Sequence, residues 1–251
     1  MEFIKVTAQK KKKEHICCAI SSNKDCQVIS KKNWLQSRFE DGLVFLKADV
    51  RGKCFIEYVP ANAAWSPIEA DNYLYINCFW VSGQLKGQGY AGKLLEACIL
   101  DAVKQKKSGL VILSSEKKMP FLSDPDYLKH KGFLVADTLA PYYQLLYLPL
   151  SENAKIPSFT DSVRYPKVSK DGFVLYYSDQ CPFNAKYVPL LKEVAKKRQV
   201  QFHPVKIENT IQAQTAPAPF TTYSLFYNGV FLTNEMLSEK KFDCMITEKL
   251  K

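Results

Sequence analysis

The most informative pattern in this chain is Val81-Ser82-Gly83-Gln84-Leu85-Lys86-Gly87-Gln88-Gly89-Tyr90-Ala91-Gly92-Lys93-Leu94-Leu95. An aromatic-rich apolar run, Tyr73 to Val81, leads into it, and from Leu94 onward apolar residues recur at helical spacing. The pattern therefore predicts a strand, a glycine loop and the start of a helix. Glycines let the backbone approach a ligand closely, and the free N–H groups at a helix start attract anions. The loop is a candidate phosphate site.

The spacing of the glycines decides between kinds of phosphate site. A Walker loop needs Ser or Thr after its Lys, and here Leu94 follows Lys93, so that motif is excluded. Gly87-x-Gly89-x-x-Gly92 has the spacing of a dinucleotide site, but no acidic residue follows a second strand about 20 residues further on. Gln84-x-x-Gly87-x-Gly89 remains, and it closely resembles the acetyl-CoA signature of the GNAT acetyltransferases.

This resemblance implies how a cofactor is held. In the family, amides of the loop bind the pyrophosphate of CoA, and the main chain of the preceding strand pairs with the pantetheine arm. Acetyl-CoA is thus the expected co-substrate. The residues that the resemblance assigns to it are Phe79, Trp80, Val81, Gln84, Leu85, Lys86, Gly87, Gln88, Gly89, Ala91 and Gly92.

Acetyl transfer to an amine requires that the amine lose a proton and that the departing thiolate gain one. Family members often carry a Tyr four residues before the Gly-Phe that ends the short helix. Leu128 holds that position here, so Tyr127, one residue early, is the candidate acid. The alternative interpretation of Tyr127 is an aromatic side chain that packs against the sheet and has no catalytic part. Glu57 on a central strand is the candidate base, because apolar surroundings tend to raise a carboxyl pKa. Because successive side chains of a strand point to opposite faces of the sheet, the pattern is equally consistent with Glu57 facing solvent.

Composition narrows the class of protein. The chain has 251 residues, a net charge of +10, eight Cys and three His. No apolar run reaches the ~18 residues of a membrane span, and the N-terminus lacks a signal-peptide plan, so we expect a cytoplasmic protein without membrane contact. The Cys residues include no Cys-x-x-Cys pair and predict reduced thiols rather than a zinc site. The positive charge suits CoA as well as nucleic acid, but no nucleic-acid motif is recognisable and Arg is scarce, so we expect no nucleic-acid partner.

Residues 1–150 are predicted to follow the order β-α-α-β-β-β-α-β-α-β-β, which is that of the GNAT fold. The two early helices are predicted at Lys10–Ile20 and Lys31–Glu40, the first with Lys10 to Lys13 as a solvated start and the second with Ser30 as its N-cap. The remaining elements are predicted as strands at 2–7, 43–48, 53–59, 73–81, 110–114, 133–137 and 142–148, a helix from the glycine loop to about 107, and a short helix at 125–131.

Residues 151–170 carry Pro and Ser without apolar periodicity and are predicted to be a linker. From 171 to 251 the order becomes β-α-β-α-β-β-α, which resembles thioredoxin and glutaredoxin, with a hairpin across Asn228-Gly229. Tyr177-Ser178-Asp179-Gln180-Cys181-Pro182-Phe183 is similar to a glutaredoxin active-site turn. A thiol at a helix start is stabilised as thiolate, so Cys181 is a candidate reactive thiol. Asn184 replaces the second Cys of a dithiol site, which excludes an intramolecular resolving thiol there.

The sequence therefore predicts an α/β protein, with a GNAT fold built on a mixed sheet and a smaller thioredoxin-like domain after it. It resembles the bacterial YoaP-like GNAT proteins, which implies transfer of an acetyl group from acetyl-CoA to a primary amine of a small-molecule or peptide acceptor. The alternative is a thiol- or glutathione-linked protein that uses Cys181, with the first half as an acyl-CoA-binding regulatory domain. Trp65, Tyr142 and Tyr143 either line an acceptor pocket or fill the core.

Overall fold

A computed structural model of the chain describes residues 2–11, 13–16, 18, 22–168 and 171–250. No helix within these ranges is long and apolar enough to cross a membrane. Nor do the described residues contain a group of three or more His, Cys, Asp or Glu side chains that could hold a metal ion.

A seven-stranded mixed sheet forms the first unit, which we define as residues 2–150. Its strand order is β1-β2-β3-β5-β6-β8-β7, and the mixed sheet predicted for this part of the chain is confirmed. Only β5 and β6 pair in parallel among these neighbours. The elements are β1 (Phe3–Val6), α1 (Cys26–Arg38), β2 (Val44–Ala48), β3 (Cys54–Pro60), β4 (Ile68–Glu69), β5 (Tyr73–Val81), α2 (Tyr90–Lys104), β6 (Gly109–Ser115), α3 (Pro125–His130), β7 (Leu134–Leu139) and β8 (Tyr143–Pro149).

The two early helices are where the sequence prediction differs from the structure. The described residues between 10 and 18 form turns and irregular chain, so the helix predicted at Lys10–Ile20 is wrong for them; residues 12, 17, 19 and 20 lie outside the description. In a helix Lys10 and Lys13, three residues apart, would bring like charges together on one face, which disfavours a helix start there. Helix α1 begins earlier than predicted, because the N-cap is Asp25, whose carboxylate accepts from the Gln27 N–H at 2.8 Å, and not Ser30.

The two faces of the first sheet carry separate apolar clusters. On one face α1 packs through Trp34 and Leu35 against alternate residues of the strands, such as Phe55. On the other face α2 packs through Leu94, among others, against the intervening strand residues. The central strands are therefore buried on both sides, and a polar side chain on them needs a partner inside the protein.

The segment predicted as a linker is built into the fold. It contains β9 (Ser158–Phe159), which pairs antiparallel with β4, and α4 (Asp161–Arg164). Arg164 forms an ion pair with Asp137 of β7, and Asp137 also accepts from the Phe159 N–H at 2.8 Å. Residues 151–168 thus lie against the first unit through pairing and charge rather than as a free tether.

A four-stranded sheet forms the second unit, which we define as residues 171–250. Its order is β11-β10-β12-β13, with β10 and β11 parallel and the other two pairs antiparallel. Asn228 and Gly229 both have positive φ, 46° and 81°, so the hairpin predicted there is confirmed. The elements are β10 (Phe173–Tyr177), α5 (Asn184–Lys197), β11 (Phe202–Lys206), α6 (Thr210–Gln214), β12 (Tyr223–Tyr227), β13 (Val230–Thr233) and α7 (Glu239–Lys249).

The two units share one apolar cluster. Ile207, Ala213 and Ala216 of the second unit are buried in the same cluster as Trp34 and Trp65 of the first. Hydrogen bonds cross the boundary at several separate points, including Gln214 Nε2 to the Asn62 carbonyl, Ser66 Oγ to the Pro219 carbonyl, Trp65 Nε1 to Thr210 Oγ1 and Tyr142 Oη to Asn234 Oδ1. Of the two alternatives for Trp65, Tyr142 and Tyr143, the structure supports packing: all three lie in or against this shared cluster.

Candidate functional site

A gap between β5 and β6 marks the centre of the first sheet. The two strands pair from Tyr73 with Gly109 to Ile76 with Ile112, and beyond that point β6 pairs with β8 while β5 continues along β3. The departure coincides with a bulge in β5, because Glu57 lies opposite Cys78 and Tyr58 lies opposite Ile76, which leaves Asn77 as the extra residue. The β6-facing edge of β5 beyond Asn77, from Cys78 to Val81, therefore has no strand partner among the described residues and is free to pair with an extended ligand.

The glycine loop continues from the end of this strand. Residues 83–85 form one turn of 3₁₀ helix, and α2 follows with Gly89 as its N-cap at a φ of 78°. A Cβ placed on Gly87, Gly89 or Gly92 would meet no atom within 4 Å, so these glycines border open space. The first helical N–H bond runs from Lys93 to the Gly89 carbonyl at 3.2 Å, which leaves the N–H groups before it pointing outward. This is the geometry of an anion cradle.

Side chains of the loop brace it or lie in solvent. Gln88 Nε2 donates to the Gln84 carbonyl at 2.6 Å, and Leu85 packs on the apolar cluster under α2. Lys86 and the Gln84 side chain are exposed. The sequence-assigned residues from Phe79 to Gly92 therefore form one continuous ribbon, from the free edge of β5 to the first turn of α2.

Tyr127 of α3 lies on the α2 side of the gap. Its ring packs against Phe79, with ring centroids 5.8 Å apart, and its hydroxyl is buried without a hydrogen-bond partner among the described residues. Burial raises the pKa of Tyr127 above its ordinary value, so this group keeps its proton at neutral pH. An unpartnered buried hydroxyl beside the candidate cofactor strand can donate a hydrogen bond or a proton to a ligand there.

Glu57 lies on the opposite face of the sheet and is fully buried, which excludes the solvent-facing alternative. Its carboxylate is not surrounded by apolar groups alone, as the sequence suggested. Lys31 Nζ of α1 lies 2.6 Å from Oε2, and Asn77 Nδ2 donates to Oε1 at 3.2 Å. Burial is the largest single effect on the pKa of Lys31 and lowers it, but the nearby Glu57 carboxylate acts together with the Cys18 and Cys78 thiols to raise it overall. Lys31 therefore keeps its proton at neutral pH.

The structure places the candidate acid and the candidate base on either side of one strand. Tyr127 contacts the side of β5 that carries Phe79, while Glu57 pairs with Cys78 and faces α1. A thioester lying in the gap between β5 and β6 would have the hydroxyl on the side of the glycine loop and the carboxylate on the other.

Cys181 does not have the surroundings of a reactive thiol. It is partly buried, and burial raises its pKa to about 11, above the usual ~8.5 of a thiol. The thiol therefore keeps its proton at neutral pH, because the loss of water raises its pKa by more than the hydrogen bond from the Phe183 backbone lowers it. Helix α5 begins only at Asn184, so Cys181 lies in the turn before it. The alternative function based on this thiol is not supported.

Sequence reasoning missed Lys31, Asn77 and Gln180 as residues of this region. Lys31 had been assigned to the start of a helix, and a single Lys in a Lys-rich chain carries no local signal of burial. Gln180 is 149 residues away from Lys31, yet its carbonyl accepts from Lys31 Nζ at 2.7 Å. Only the three-dimensional packing of the second unit against the first brings these groups together.

Comparisons with known proteins relate the chain to a family profile, to a relative along nearly its whole length and to solved structures. A family profile described as YoaP-like matches residues 201–243. A Bacillus subtilis (strain 168) protein described as the uncharacterised N-acetyltransferase YoaP is 40% identical over 247 residues, which is 98% of each chain. A GNAT-family acetyltransferase structure from Staphylococcus aureus Mu50 is 14% identical, covers 60% of this chain and 99% of its own, and gives a TM-score of 0.41. A GNAT-family acetyltransferase from Brucella melitensis in complex with acetyl-CoA is 13% identical over 64% of this chain and 96% of its own, with a TM-score of 0.38.

Proposed function

Since the chain belongs to the YoaP-like family of N-acetyltransferases, we propose that it transfers the acetyl group of acetyl-CoA to a primary amine by direct attack of the amine on the thioester. The observation that carries this proposal is the continuity of two features, the open glycine cradle at the head of α2 and the free edge of β5 that leads into it. Together they offer donors for a pyrophosphate and a main-chain edge for an extended amide-bearing arm.

The cofactor fits the donors that are present. The outward N–H groups from Gly87 to Gly92 would hold the pyrophosphate, and the exposed Lys86 and Lys93 add positive charge beside it. The backbone of Phe79 to Val81 would pair with the pantetheine arm as an added strand pairs with a sheet edge. Bound in this way, acetyl-CoA supplies an activated acetyl group whose carbonyl carbon is open to an amine.

Two side chains then move protons at the reacting centre. Glu57 takes the proton that the amine loses as it attacks, and Tyr127 gives its hydroxyl proton to the departing thiolate. Asn77 Oδ1 is buried without a described partner close to Glu57 and offers an acceptor for an amine N–H. With the base on one face of the sheet and the acid on the other, the amine would attack the thioester carbonyl from the side of Glu57, and the CoA thiolate would leave on the side of Tyr127 as the C–S bond breaks.

The second unit is proposed to be thioredoxin-like in fold but not in chemistry. Its sheet order, the parallel β10–β11 pair and Pro189 inside α5 support the fold. Thioredoxin chemistry is disfavoured there, because burial raises the pKa of Cys181 and Asn184 stands at the position of a second thiol. We assign this unit a structural part in the acetyltransferase.

Calorimetric titration of acetyl-CoA into a Gly92→Glu variant tests the cofactor site. Gly92 borders open space and has no positive φ, so the new side chain enters the cradle without backbone strain. An acidic residue in the first turn also favours the helix, which keeps the fold intact. Wild-type protein is expected to bind acetyl-CoA and the variant to lose binding by at least about tenfold, since like charges meet where the pyrophosphate lies.

Leu100→Glu is the matched control, because Leu100 lies on the same helix and is 62% exposed. It adds the same charge outside the first turn of α2, and acetyl-CoA affinity is expected to stay within about twofold, because a distant exposed charge is screened. If the wild type binds no acetyl-CoA, or if both variants bind as well as the wild type, the glycine loop is only a turn and the proposal fails.

A further inference from the structure

Four hydrogen bonds close a ring through both units. Lys31 Nζ donates to Glu57 Oε2 at 2.6 Å and to the Gln180 carbonyl at 2.7 Å. Gln180 Nε2 donates to the Asn77 carbonyl at 3.2 Å, and Asn77 Nδ2 donates to Glu57 Oε1 at 3.2 Å. Three members come from the first unit, on α1, β3 and β5, and the fourth comes from the second unit.

Three of the four side chains of this ring are buried, so water does not replace a hydrogen bond that one of them loses. Lys31 is 1% exposed, Glu57 0% and Gln180 9%. The Lys31 ammonium has three N–H donors, which it directs at the carboxylate, at the Gln180 carbonyl and toward the face of Trp34, whose centroid is 4.2 Å away. The Gln180 carbonyl thus satisfies one donor of an ammonium that the packed units shield from water, and buried charges tolerate the loss of such a partner poorly.

The turn that carries Gln180 is held rigidly. Asn184, fully buried at the start of α5, donates to the Ser178 carbonyl at 2.8 Å and to the Thr222 carbonyl at 2.7 Å. These two bonds tie both ends of the turn 178–184 to the beginning of β12. The backbone carbonyl of Gln180 is thereby fixed toward Lys31, rather than left on a mobile loop.

The other end of Gln180 reaches the bulge. Asn77 is the residue at which β5 parts from β6, and the free edge of the strand begins directly after it. Its carbonyl, which has no β6 partner, is taken by the Gln180 side chain. One residue of the second unit therefore fixes both the bulge that shapes the gap and, through Lys31, the carboxylate beside it.

From this ring we propose that the turn 178–184 of the second unit completes the acetyl-transfer site, with the Gln180 side chain as a positioning group for the β5 bulge and, through Asn77 Nδ2, for Glu57. The inference rests on the proposed function, since it assigns a part in that same site to a residue outside the first unit. The Gln180 side chain bonds to Asn77 and not to the glycine loop or to Phe79–Val81, so its effect is expected on turnover rather than on acetyl-CoA affinity.

Paired glutamine variants of the full-length protein test this proposal. Gln180→Met keeps the length of the side chain but removes its N–H donor. Gln214→Met is the matched control, because Gln214 also donates across the unit boundary, to the Asn62 and Ala64 carbonyls at 3.0 and 3.3 Å, outside the ring. CoA release is measured with a panel of amines consisting of a polyamine, an aminoglycoside and a peptide with a free N-terminus, and acetyl-CoA affinity by calorimetry.

Gln180→Met is expected to lower kcat about tenfold, the loss of one buried hydrogen bond at the reacting centre, with acetyl-CoA affinity within about twofold of wild type. Gln214→Met is expected to keep both values. Equal kcat in the two variants overturns the positioning role. A second readout, backbone amide exchange of residues 78–81, needs no acetyl-CoA and separates the two hypotheses. Faster exchange in Gln180→Met than in Gln214→Met supports the clamp on the bulge even if acetyl-CoA fails to bind, and equal exchange overturns it.

Discussion

Replacing Lys31 by Met gives the sharpest test of the buried ion pair. The substitution keeps most of the side-chain volume but leaves the Glu57 carboxylate, which is 0% exposed, without its ammonium partner. It also removes the charge that lies 4.2 Å from the centre of the Trp34 ring and the donor to the Gln180 carbonyl. Removing one partner of a buried pair costs about 3–5 kcal/mol of unfolding free energy. For a chain of this size that corresponds to a fall in Tm of about 6–20 °C.

Urea unfolding followed by tryptophan fluorescence measures this loss, because Trp34 lies directly against Lys31. Lys32→Met, one residue further along α1, is the control, since Lys32 is only partly buried and its Nζ donates to Asn23 at 2.9 Å in an exposed contact. That change is expected to stay within about 0.5 kcal/mol of wild type. A Lys31→Met/Glu57→Leu double variant removes both charges and is expected to regain most of the lost stability. If Lys31→Met and Lys32→Met unfold at the same urea concentration, the reasoning from burial is refuted.

Two further predictions concern the hydroxyl on the other side of the gap and the pH dependence of stability. Tyr127→Phe is expected to lower kcat by about 10²-fold, the ordinary contribution of a general acid, without loss of Tm, because the hydroxyl has no described partner to lose; an unchanged kcat in the CoA-release assay would remove Tyr127 from the mechanism. Burial raises the pKa of Cys181 to about 11 and of Cys78, Tyr73 and Tyr75 to about 12. The unfolded chain therefore releases protons first, from about pH 8.5 for thiols and pH 10 for tyrosines, and stability that is fully present below pH 8.5 is lost as the pH rises. Melting curves are expected to show a Tm that falls steadily between pH 8.5 and 11, at about 1–2 kcal/mol per buried thiol by pH 10, and a flat Tm over that range would contradict the assigned burial.

Local sequence patterns were sufficient for the strands that surround the site. β5 was predicted with the bounds the structure has, because a nine-residue apolar and aromatic run ending at a glycine loop has few other conformations available. The hairpin at Asn228-Gly229 was equally accessible, since that pair favours the positive φ that a two-residue turn demands. Both patterns involve residues that are neighbours in sequence, and the backbone preferences behind them depend only on those neighbours.

The start of α1 and the ring at the gap required information that the local sequence does not contain. Asp25 and Ser30 are both good cap residues, and the structure uses Asp25, which lets Val28 join the buried face of the helix. No pattern near Glu57 identifies its partner, because the partner is the ammonium of Lys31 on α1, 26 residues earlier in the chain. A buried charge on a central strand requires a partner, but tertiary packing determines which residue that partner is.

Asn184 shows why the second unit is better understood as part of the transfer site than as a redox module. A dithiol site needs a thiol at this position, but a thiol has no pair of strong N–H donors to offer the Ser178 and Thr222 carbonyls, which Asn184 satisfies at 2.8 and 2.7 Å. The chemistry of disulfide exchange and the rigidity of this turn therefore make opposing demands on one side chain. With Asn184 the turn is fixed, the Gln180 carbonyl points at Lys31, and the nearby Cys181 thiol keeps its proton. The same turn that would expose a thiolate in a redox protein here supplies a hydrogen-bond acceptor to the acetyltransferase half.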